Sequence, residues 1–235
     1  MSQFPFQFWP AKDRSHNNRQ AIYFAHANAY PPASYQAIID GLREMAPVIS
    51  YLQRPLWPTP PEPETVTSWH DFADDGMGFF KQEKITHGLA VGHSMGAVSS
   101  FLAATKRPDL FKALVMIEPV VFSRGFCWLN RILPRFIRHQ VPLIKKTLLR
   151  PDHWPSLQAA FDFHRRTRAF KRVSDEQLWQ FINAGVKADN TGTFRLAFDK
   201  HWEAHIYQTV TPFRKQLLQS TLPVLALRGA ETDTI

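Results

Sequence analysis

The sequence predicts an α/β protein with a mostly parallel β-sheet flanked by helices, and three observations support this fold class. Short apolar runs alternate with helical patterns up to about residue 120. Between about residues 121 and 215 no clear strand pattern is present, and the segments have helical patterns. Strand character returns at 222–229 (LPVLALRG). Strands that alternate with helices are typical of parallel sheets with helical crossovers, so we expect such a sheet interrupted by a helical insertion.

The alternation predicts the elements in chain order. Strands are expected at 21–25 (AIYFA), 48–52 (VISYL), 88–92 (GLAVG), 113–117 (ALVMI) and within 222–229. Helices are expected at about 34–45, 68–82 and 95–105. Ser68 and Ser174 precede helical patterns, and a serine at this position accepts a hydrogen bond from the first turn. The predicted domains are therefore 1–120, the first part of the core; 121–215, a helical cap insertion; and 216–235, the penultimate strand with the loop that follows it.

Length and composition limit the possible classes of protein. With 235 residues and 44% hydrophobic residues, the chain can bury a core of one domain with an inserted subdomain. Its single cysteine, Cys127, cannot form an internal disulfide, which favours a reducing compartment. The N-terminus lacks a basic leader followed by an apolar stretch, and no run approaches the roughly 20 apolar residues of a membrane span. We therefore expect a cytoplasmic protein without stable membrane insertion.

The net charge of +8 is unevenly distributed. Residues 121–215 hold 17 Lys and Arg against 7 Asp and Glu, a balance of +10, whereas the remainder holds 11 against 13, a balance of −2. The basic residues of the insertion are interleaved with apolar helix positions, and no nucleic-acid motif is present, so nucleic acid is not an expected partner. The charge could attract an anionic substrate or an anionic membrane surface, although a solvated basic face is the favoured interpretation.

The most informative motif is Gly92-His93-Ser94-Met95-Gly96, which follows a predicted strand and opens a predicted helix. A serine on such a sharp turn needs small neighbours, and Gly92 and Gly96 allow the strand and helix to approach closely. The helix N-terminus directs backbone N–H groups toward developing negative charge. The motif predicts that Ser94 is a nucleophile, and the alternative is a small residue in a tight turn.

Together with the order of strands and helices, the segments GHSMG, YFAHANAYPPASY and RGAETD resemble the α/β-hydrolase-fold superfamily, in its serine-hydrolase, esterase-like form. The resemblance implies an oxyanion hole formed by the backbone N–H groups of Met95 and Asn28. Such proteins often carry His-Gly-x where this chain has His26-Ala27-Asn28. Alternatively, His26 and Asn28 only organise a turn. His93 occupies a variable position before the nucleophile and is expected to be structural.

The resemblance also implies an acid and a histidine base after the serine. Asp233 is the favoured acid, with Glu231 beside it, and Glu118 is the second candidate, or otherwise a residue of the pocket edge or a helix cap. All ten histidines precede Asp233, so the expected base is missing. We therefore expect a C-terminally truncated chain that lacks the last strand and helix of the fold and has little activity.

Two histidines offer another arrangement. His201 and His205 are four residues apart on a helical pattern and share a face. They could reach a pocket or form part of a zinc site, but without a third ligand in view we expect packed or solvated histidines and no metal or cofactor.

These features predict a serine hydrolase that cleaves an ester or related acyl bond through an acyl-enzyme. Its expected partner is a small-molecule substrate with an apolar or aromatic group, because the insertion is rich in aromatic residues. Two alternatives stay open: a catalytically silent binding protein on the same scaffold, and a C–C bond hydrolase or perhydrolase with the same triad.

Overall fold

A six-stranded sheet forms the centre of the structure. The structure is a computed structural model, and it describes residues 3–230 except the side chain of Arg135. The sheet has the spatial order β1-β3-β2-β4-β5-β9. The strands are β1 (Phe6–Trp9), β2 (Ile22–Ala25), β3 (Val48–Tyr51), β4 (Gly88–His93), β5 (Phe111–Ile117) and β9 (Val224–Leu227). All neighbours pair in parallel except β1 and β3, which are antiparallel. The predicted α/β architecture with a mostly parallel sheet is confirmed.

Helices connect the strands and cover the sheet. They are α1 (Gln36–Leu42), α2 (Trp69–Gln82), α3 (Met95–Lys106), α4 (Arg124–Ile132), α5 (Arg135–Arg138), α6 (Pro142–Leu149), α7 (Leu157–Arg165), α8 (Asp175–Gly185), α9 (Lys200–Gln208) and α10 (Arg214–Gln219). Ser68 forms a capping box with Asp71 at the start of α2, and Ser174 accepts a hydrogen bond from Gln177 N–H at the start of α8. Both serines therefore cap the helices that they were predicted to cap.

The segment between β5 and β9 is mostly helical but also contains a small antiparallel sheet, in the order β6-β8-β7. Its strands are β6 (His153–Trp154), β7 (Val186–Ala188) and β8 (Phe194–Leu196). The sequence pattern does not predict them, because strands of two or three residues are too short to show an alternation. The strand β1 is not predicted either, because its phenylalanines, Phe6 and Phe8, lie on the exposed face rather than in the core.

The segment between β5 and β9 packs in two ways. A buried cluster that includes Trp154, Phe161 and Phe181 forms a core of its own. In contrast, α9 joins the main core, where Trp69 Nε1 donates a hydrogen bond to the carbonyl of Ile206 at 3.0 Å. The domain boundaries given above stay a prediction.

Two further observations concern the surface. Leu225 and Leu227 of the edge strand β9 are 55% and 46% exposed. The predicted truncation concerns residues beyond this strand and stays a prediction. Within residues 3–230, no helix is long and apolar enough to cross a bilayer.

Candidate active site

Ser94 lies on the turn between β4 and α3 with φ 52° and ψ −119°. This left-handed φ is uncommon for a residue with a side chain, and such strained positions cluster at functional sites. The turn is held on both sides: Ser94 N–H donates to the carbonyl of Ile117 at 2.9 Å, and Val98 N–H donates to the carbonyl of Ser94 at 3.2 Å. The serine follows the carboxyl end of β4 and is half-buried.

The two glycines of the motif occupy positions where a side chain does not fit. A Cβ on Gly92 would lie 2.5 Å from the Cα of Ala97, which belongs to α3. A Cβ on Gly96 would overlap the carbonyl oxygen of Ala25 and lie 2.5 Å from that of His26. The start of α3 therefore packs directly against the backbone at the end of β2, which places residues 26–28 beside the turn that carries Ser94.

Backbone N–H groups are available at this edge of the sheet. Among the residues that the structure describes, none accepts a hydrogen bond from the backbone N–H of Met95 or Asn28. Met95 is the first residue of α3, where the helix dipole adds partial positive charge. The Asn28 side chain is buried, and its Nδ2 donates to the carbonyl of Glu203 at 3.1 Å, which fixes the loop.

His26 is fully buried below this loop, and its hydrogen bonds connect the loop to Gln53 in the segment after β3. Its Nε2 accepts a hydrogen bond from Gln53 N–H at 3.2 Å, and its carbonyl accepts one from Gln53 Nε2 at 2.8 Å. The other ring nitrogen, Nδ1, donates to the carbonyl of Ala27 at 2.9 Å. Burial lowers the pKa of His26 to about 4, so the ring is neutral at pH 7. Both ring nitrogens are occupied, which assigns His26 to loop positioning.

The buried neutral state of His26 predicts a pH-dependent stability. In the unfolded chain His26 binds a proton below its ordinary pKa of about 6.5, whereas in the folded chain it does so only when the pH falls to about 4. The free energy of unfolding therefore decreases as pH falls from 6.5 to 4. We expect His26 to account for a loss of about 1.6 kcal/mol between pH 6.5 and pH 5. Urea unfolding at the two pH values should show a smaller loss for His26→Gln than for the wild type. An equal loss in His26→Gln and in the wild type would contradict the prediction.

Tyr35 links this loop to the turn that carries Ser94. Its phenolic oxygen accepts a hydrogen bond from Ala27 N–H at 3.2 Å and lies 2.8 Å from His93 Nδ1, to which the hydroxyl can donate. Burial lowers the pKa of His93, while the charge of Glu118 opposes this shift. Tyr35 is a site residue that the sequence analysis missed. No local signal could have identified it, because its partner is 58 positions away.

Glu118 follows β5 and joins the end of that strand to the segment after β9. Its N–H donates to the carbonyl of Leu227 at 2.8 Å, and its Oε1 accepts a hydrogen bond from Gly229 N–H at 2.5 Å. It therefore links the end of β5 to the segment after β9, which precedes Glu231 and Asp233 in the chain. Those two residues, including the favoured acid, lie outside the described residues.

All ten histidines belong to the described part of the chain, and there none hydrogen-bonds to the Ser94 hydroxyl. His205 Nε2 lies 2.7 Å from the carbonyl of Val66, and His201 is exposed. Residues 3–230 contain no group of three His, Cys, Asp or Glu side chains arranged to hold a metal ion. Within residues 3–230, the site thus contains the strained turn at Ser94 and two backbone N–H groups without a hydrogen-bond acceptor, and no histidine hydrogen-bonds to the serine.

A cavity of about 870 Å³ lies next to this edge, between the loop after β2, α6 and the segment that follows it. It begins at Ala29 and Tyr30, directly after Asn28, and the Tyr30 ring centroid lies 6.5 Å from that of His93. Ser94 itself is not part of the lining. Aromatic lining residues are Tyr30, Phe163, Phe170, Phe181, Phe198 and Tyr207, and basic ones are Lys145, Lys146, Arg150 and Arg168.

The lining contains one carboxylate, Glu203, which is buried and paired with Arg150. The Nη2–Oε2 distance is 2.5 Å. Because Arg150 neutralises Glu203, the remaining lining is basic and aromatic. Neither residue was singled out from the sequence, since they are 53 positions apart.

Comparisons with known proteins agree with this architecture. The 2-(acetamidomethylene)succinate hydrolase of Mesorhizobium japonicum is 42% identical over 57 residues, which are 24% of this chain and 20% of that relative. The match thus spans about a fifth of the relative's length. The crystal structure of E-2-(acetamidomethylene)succinate hydrolase is similar with a TM-score of 0.65 and 19% identity, over 89% of this chain and 83% of the other.

Two further solved structures show the same fold. The thioesterase domain from the curacin biosynthetic pathway has a TM-score of 0.69 and 17% identity, over 97% of this chain and 79% of the other. An esterase from Mycobacterium tuberculosis has a TM-score of 0.68 and 13% identity, over 99% and 75%. The Esterase family model matches residues 78–205, more than half of the 235 residues. The chain therefore belongs to the Esterase family and has the α/β-hydrolase fold.

Proposed function

We propose that this chain is a serine hydrolase in which the Ser94 hydroxyl attacks the carbonyl carbon of an ester or related acyl bond. The observation that carries the proposal is the conformation of Ser94, at φ 52° on a strand-to-helix turn whose glycines admit no side chain. Nucleophile turns of this type expose the serine at the carboxyl edge of the sheet beside a helix N-terminus. Membership of the Esterase family supports the same activity.

The proposed reaction has two stages. Attack by Ser94 Oγ forms a tetrahedral intermediate, and the N–H groups of Met95 and Asn28 donate hydrogen bonds to its oxyanion. The hydroxyl proton passes to a base, which Asp233 orients if that base is the histidine of this fold. The leaving group takes up the proton as the intermediate collapses to an acyl-enzyme. Water then attacks the acyl-enzyme and releases the acid, which regenerates the serine.

The cavity beside the loop after β2 supports a small-molecule acyl substrate with an apolar or aromatic group. Its aromatic lining residues provide apolar contact area, and cavities of about 300 to 1,000 Å³ suit small ligands. The basic side chains of the same lining would favour a substrate that also carries negative charge. In this arrangement the acyl bond lies at Ser94 and the rest of the substrate extends past Tyr30.

A fluorophosphonate probe tests the proposal, because it forms a covalent bond with an activated serine. We expect one adduct, which peptide mass spectrometry should locate on Ser94. In the part of the chain that the structure describes, no histidine hydrogen-bonds to the Ser94 hydroxyl, so added imidazole should accelerate labelling by at least about tenfold, since general bases contribute about 10²- to 10⁴-fold.

Two variants control this experiment. Ser94→Ala should abolish the adduct, whereas Ser99→Ala, a buried position on the same helix, should retain it. An adduct on another serine, or none in the presence of imidazole, would refute the nucleophile and favour a catalytically silent binding protein on this scaffold.

A further inference from the structure

The segment after β5 exposes a group of large apolar side chains that has no counterpart of similar size elsewhere in residues 3–230. We name it the cap face; its members are Phe126 (40% exposed), Trp128 (63%), Leu129 (48%), Ile132 (54%), Phe136 (71%) and Ile137 (40%). They lie on α4 and α5, within twelve consecutive positions, 126–137. Apolar groups this close together on a surface mark interaction sites, whereas single exposed ones are ordinary.

The orientation of α4 is fixed by its opposite side. Cys127 and Asn130 are buried, and Asn130 Nδ2 donates to the carbonyls of Tyr207 at 3.2 Å and Gln208 at 3.1 Å. At about 100° per residue, Trp128, Leu129 and Ile132 then project away from this anchored side. The apolar side chains are exposed because the helix is docked by its polar and small residues.

The surroundings of the cap face are strongly basic. Residues 121–150 contain no Asp or Glu and seven basic residues, namely Arg124, Arg131, Arg135, Arg138, Lys145, Lys146 and Arg150. Arg124 and Arg131 flank the apolar side chains on α4 and are exposed, and in the described part of the chain neither pairs with an acidic side chain. Lys145 and Lys146 are exposed on the neighbouring α6.

We propose that the cap face docks reversibly onto an anionic lipid surface, with Trp128, Ile132 and Phe136 inserted at the headgroup boundary and the basic side chains on the lipid headgroups. An amphipathic helix with aromatic and aliphatic residues on one face and Arg or Lys beside them has the pattern of interfacial binding. Long basic side chains can reach the headgroups while their neighbours enter the acyl region. The helix lies in the interface rather than spanning the bilayer, and the proposal does not depend on the activity of Ser94.

The charge disfavours a second copy of this chain as the occupant. A twofold interface would place the exposed Arg124, Arg131, Lys145 and Lys146 near the same residues of the second copy, and residues 121–150 supply no acidic side chain to compensate. Nucleic acid would match the charge but would leave the apolar side chains without a partner in the grooves. An anionic bilayer satisfies both features at once.

Co-sedimentation of the chain with lipid vesicles tests the proposal. We expect partitioning onto phosphatidylcholine vesicles with about 30% phosphatidylserine to be at least about tenfold stronger than onto phosphatidylcholine alone. Binding should weaken as salt rises from about 0.1 M to about 0.5 M. Trp128→Ser/Phe136→Ser should lower partitioning about tenfold, and Arg124→Gln/Arg131→Gln should lower it on anionic vesicles only.

Matched controls use exposed residues on other elements. Leu218→Ser, at a position 75% exposed on α10, and Lys81→Gln/Lys112→Gln should bind like the wild type. All variants are exposed substitutions, and circular dichroism checks that they are folded. Equal binding to neutral and anionic vesicles, or unchanged binding in the Trp128→Ser/Phe136→Ser variant, would overturn the proposal. So would a dimer in solution that this variant dissociates, because a second copy would then cover the cap face.

Discussion

Replacing Gly96 with alanine is expected to lower the free energy of unfolding by about 3 kcal/mol or more. The new Cβ would overlap the carbonyl oxygen of Ala25 and lie 2.5 Å from that of His26. Neither oxygen can move easily, because Ala25 belongs to β2, which is paired with β3 on one side and β4 on the other. The strain must therefore move α3 away from the sheet. For a chain of this length, the melting temperature should fall by roughly 6 to 12 °C.

The same displacement should impair the proposed site. Met95 and Ser94 precede Gly96 directly, so moving the start of α3 changes the direction of the Met95 N–H and of the serine hydroxyl. Fluorophosphonate labelling of Ser94 should slow markedly, even at temperatures where Gly96→Ala is folded. A variant with normal stability and labelling would show that the close approach at Gly96 is not required.

Gly41 offers a matched control, since it is exposed in the last turn of α1 and a Cβ there would meet no atom within 4 Å. Gly41→Ala should raise the free energy of unfolding by about 0.5 kcal/mol, because alanine is a better helix former than glycine. Urea unfolding monitored by circular dichroism should therefore show a lower free energy of unfolding for Gly96→Ala and a higher one for Gly41→Ala than for the wild type.

The sequence predicted those parts of the fold that depend on local patterns. The strands at 48–52, 88–92 and 113–117 are observed as Val48–Tyr51, Gly88–His93 and Phe111–Ile117. Each is a continuous apolar run that ends at turn residues, which is the pattern of a strand covered on both faces. The position of Ser94 between strand and helix follows from the same patterns, because Gly92 and Gly96 permit the close approach of strand and helix that such a turn requires.

Contacts between distant segments carry no such local signal. The hydrogen bond between Tyr35 and His93 requires the register of β2 beside β4, with Ala25 opposite Gly92. Hydrophobic periodicity indicates which face of a helix or strand is apolar, but it does not indicate which other element packs against that face. The cavity could not be predicted for the same reason. Its walls include α6 and the loop that follows β2, which are distant in sequence and adjacent only in the folded chain. The acid Asp233 lies outside the described residues and stays a prediction.

Replacing Arg150 with methionine is expected to lower the free energy of unfolding by about 3 to 5 kcal/mol at pH 8, since it leaves Glu203 buried without its partner. Glu203 is only 5% exposed, and its oxygens accept hydrogen bonds from Arg150. As a control, Arg107→Met breaks an ion pair with Asp109 whose side chains are 55% and 59% exposed, and its stability should be close to that of the wild type because water screens exposed pairs. Urea unfolding measures both.

The cost of Arg150→Met should depend on pH in a direction set by Glu203. Burial raises the pKa of Glu203 above its ordinary value of 4.5, and the charge of Arg150 opposes that rise, so its removal raises the pKa further. When the pKa of a carboxyl is higher in the folded chain than in the unfolded chain, the protonated carboxyl favours folding. This contribution to the free energy of unfolding is present below pH 4.5 and is lost as pH rises through the raised pKa. Tyr30 and Tyr207 face Glu203, but burial raises the pKa of both phenols, so they stay neutral across this range.

Arg150→Met should therefore be closer to the wild type at pH 5 than at pH 8. Removing the second charge tests the same cause by another route, because a neutral side chain needs no cation. Arg150→Met/Glu203→Gln should recover most of the loss at pH 8, since replacing a buried pair by uncharged groups is often nearly neutral in stability. A loss that is the same at both pH values and persists in the double variant would mean that the methylene packing of Arg150, rather than the charge of Glu203, stabilises this wall of the cavity.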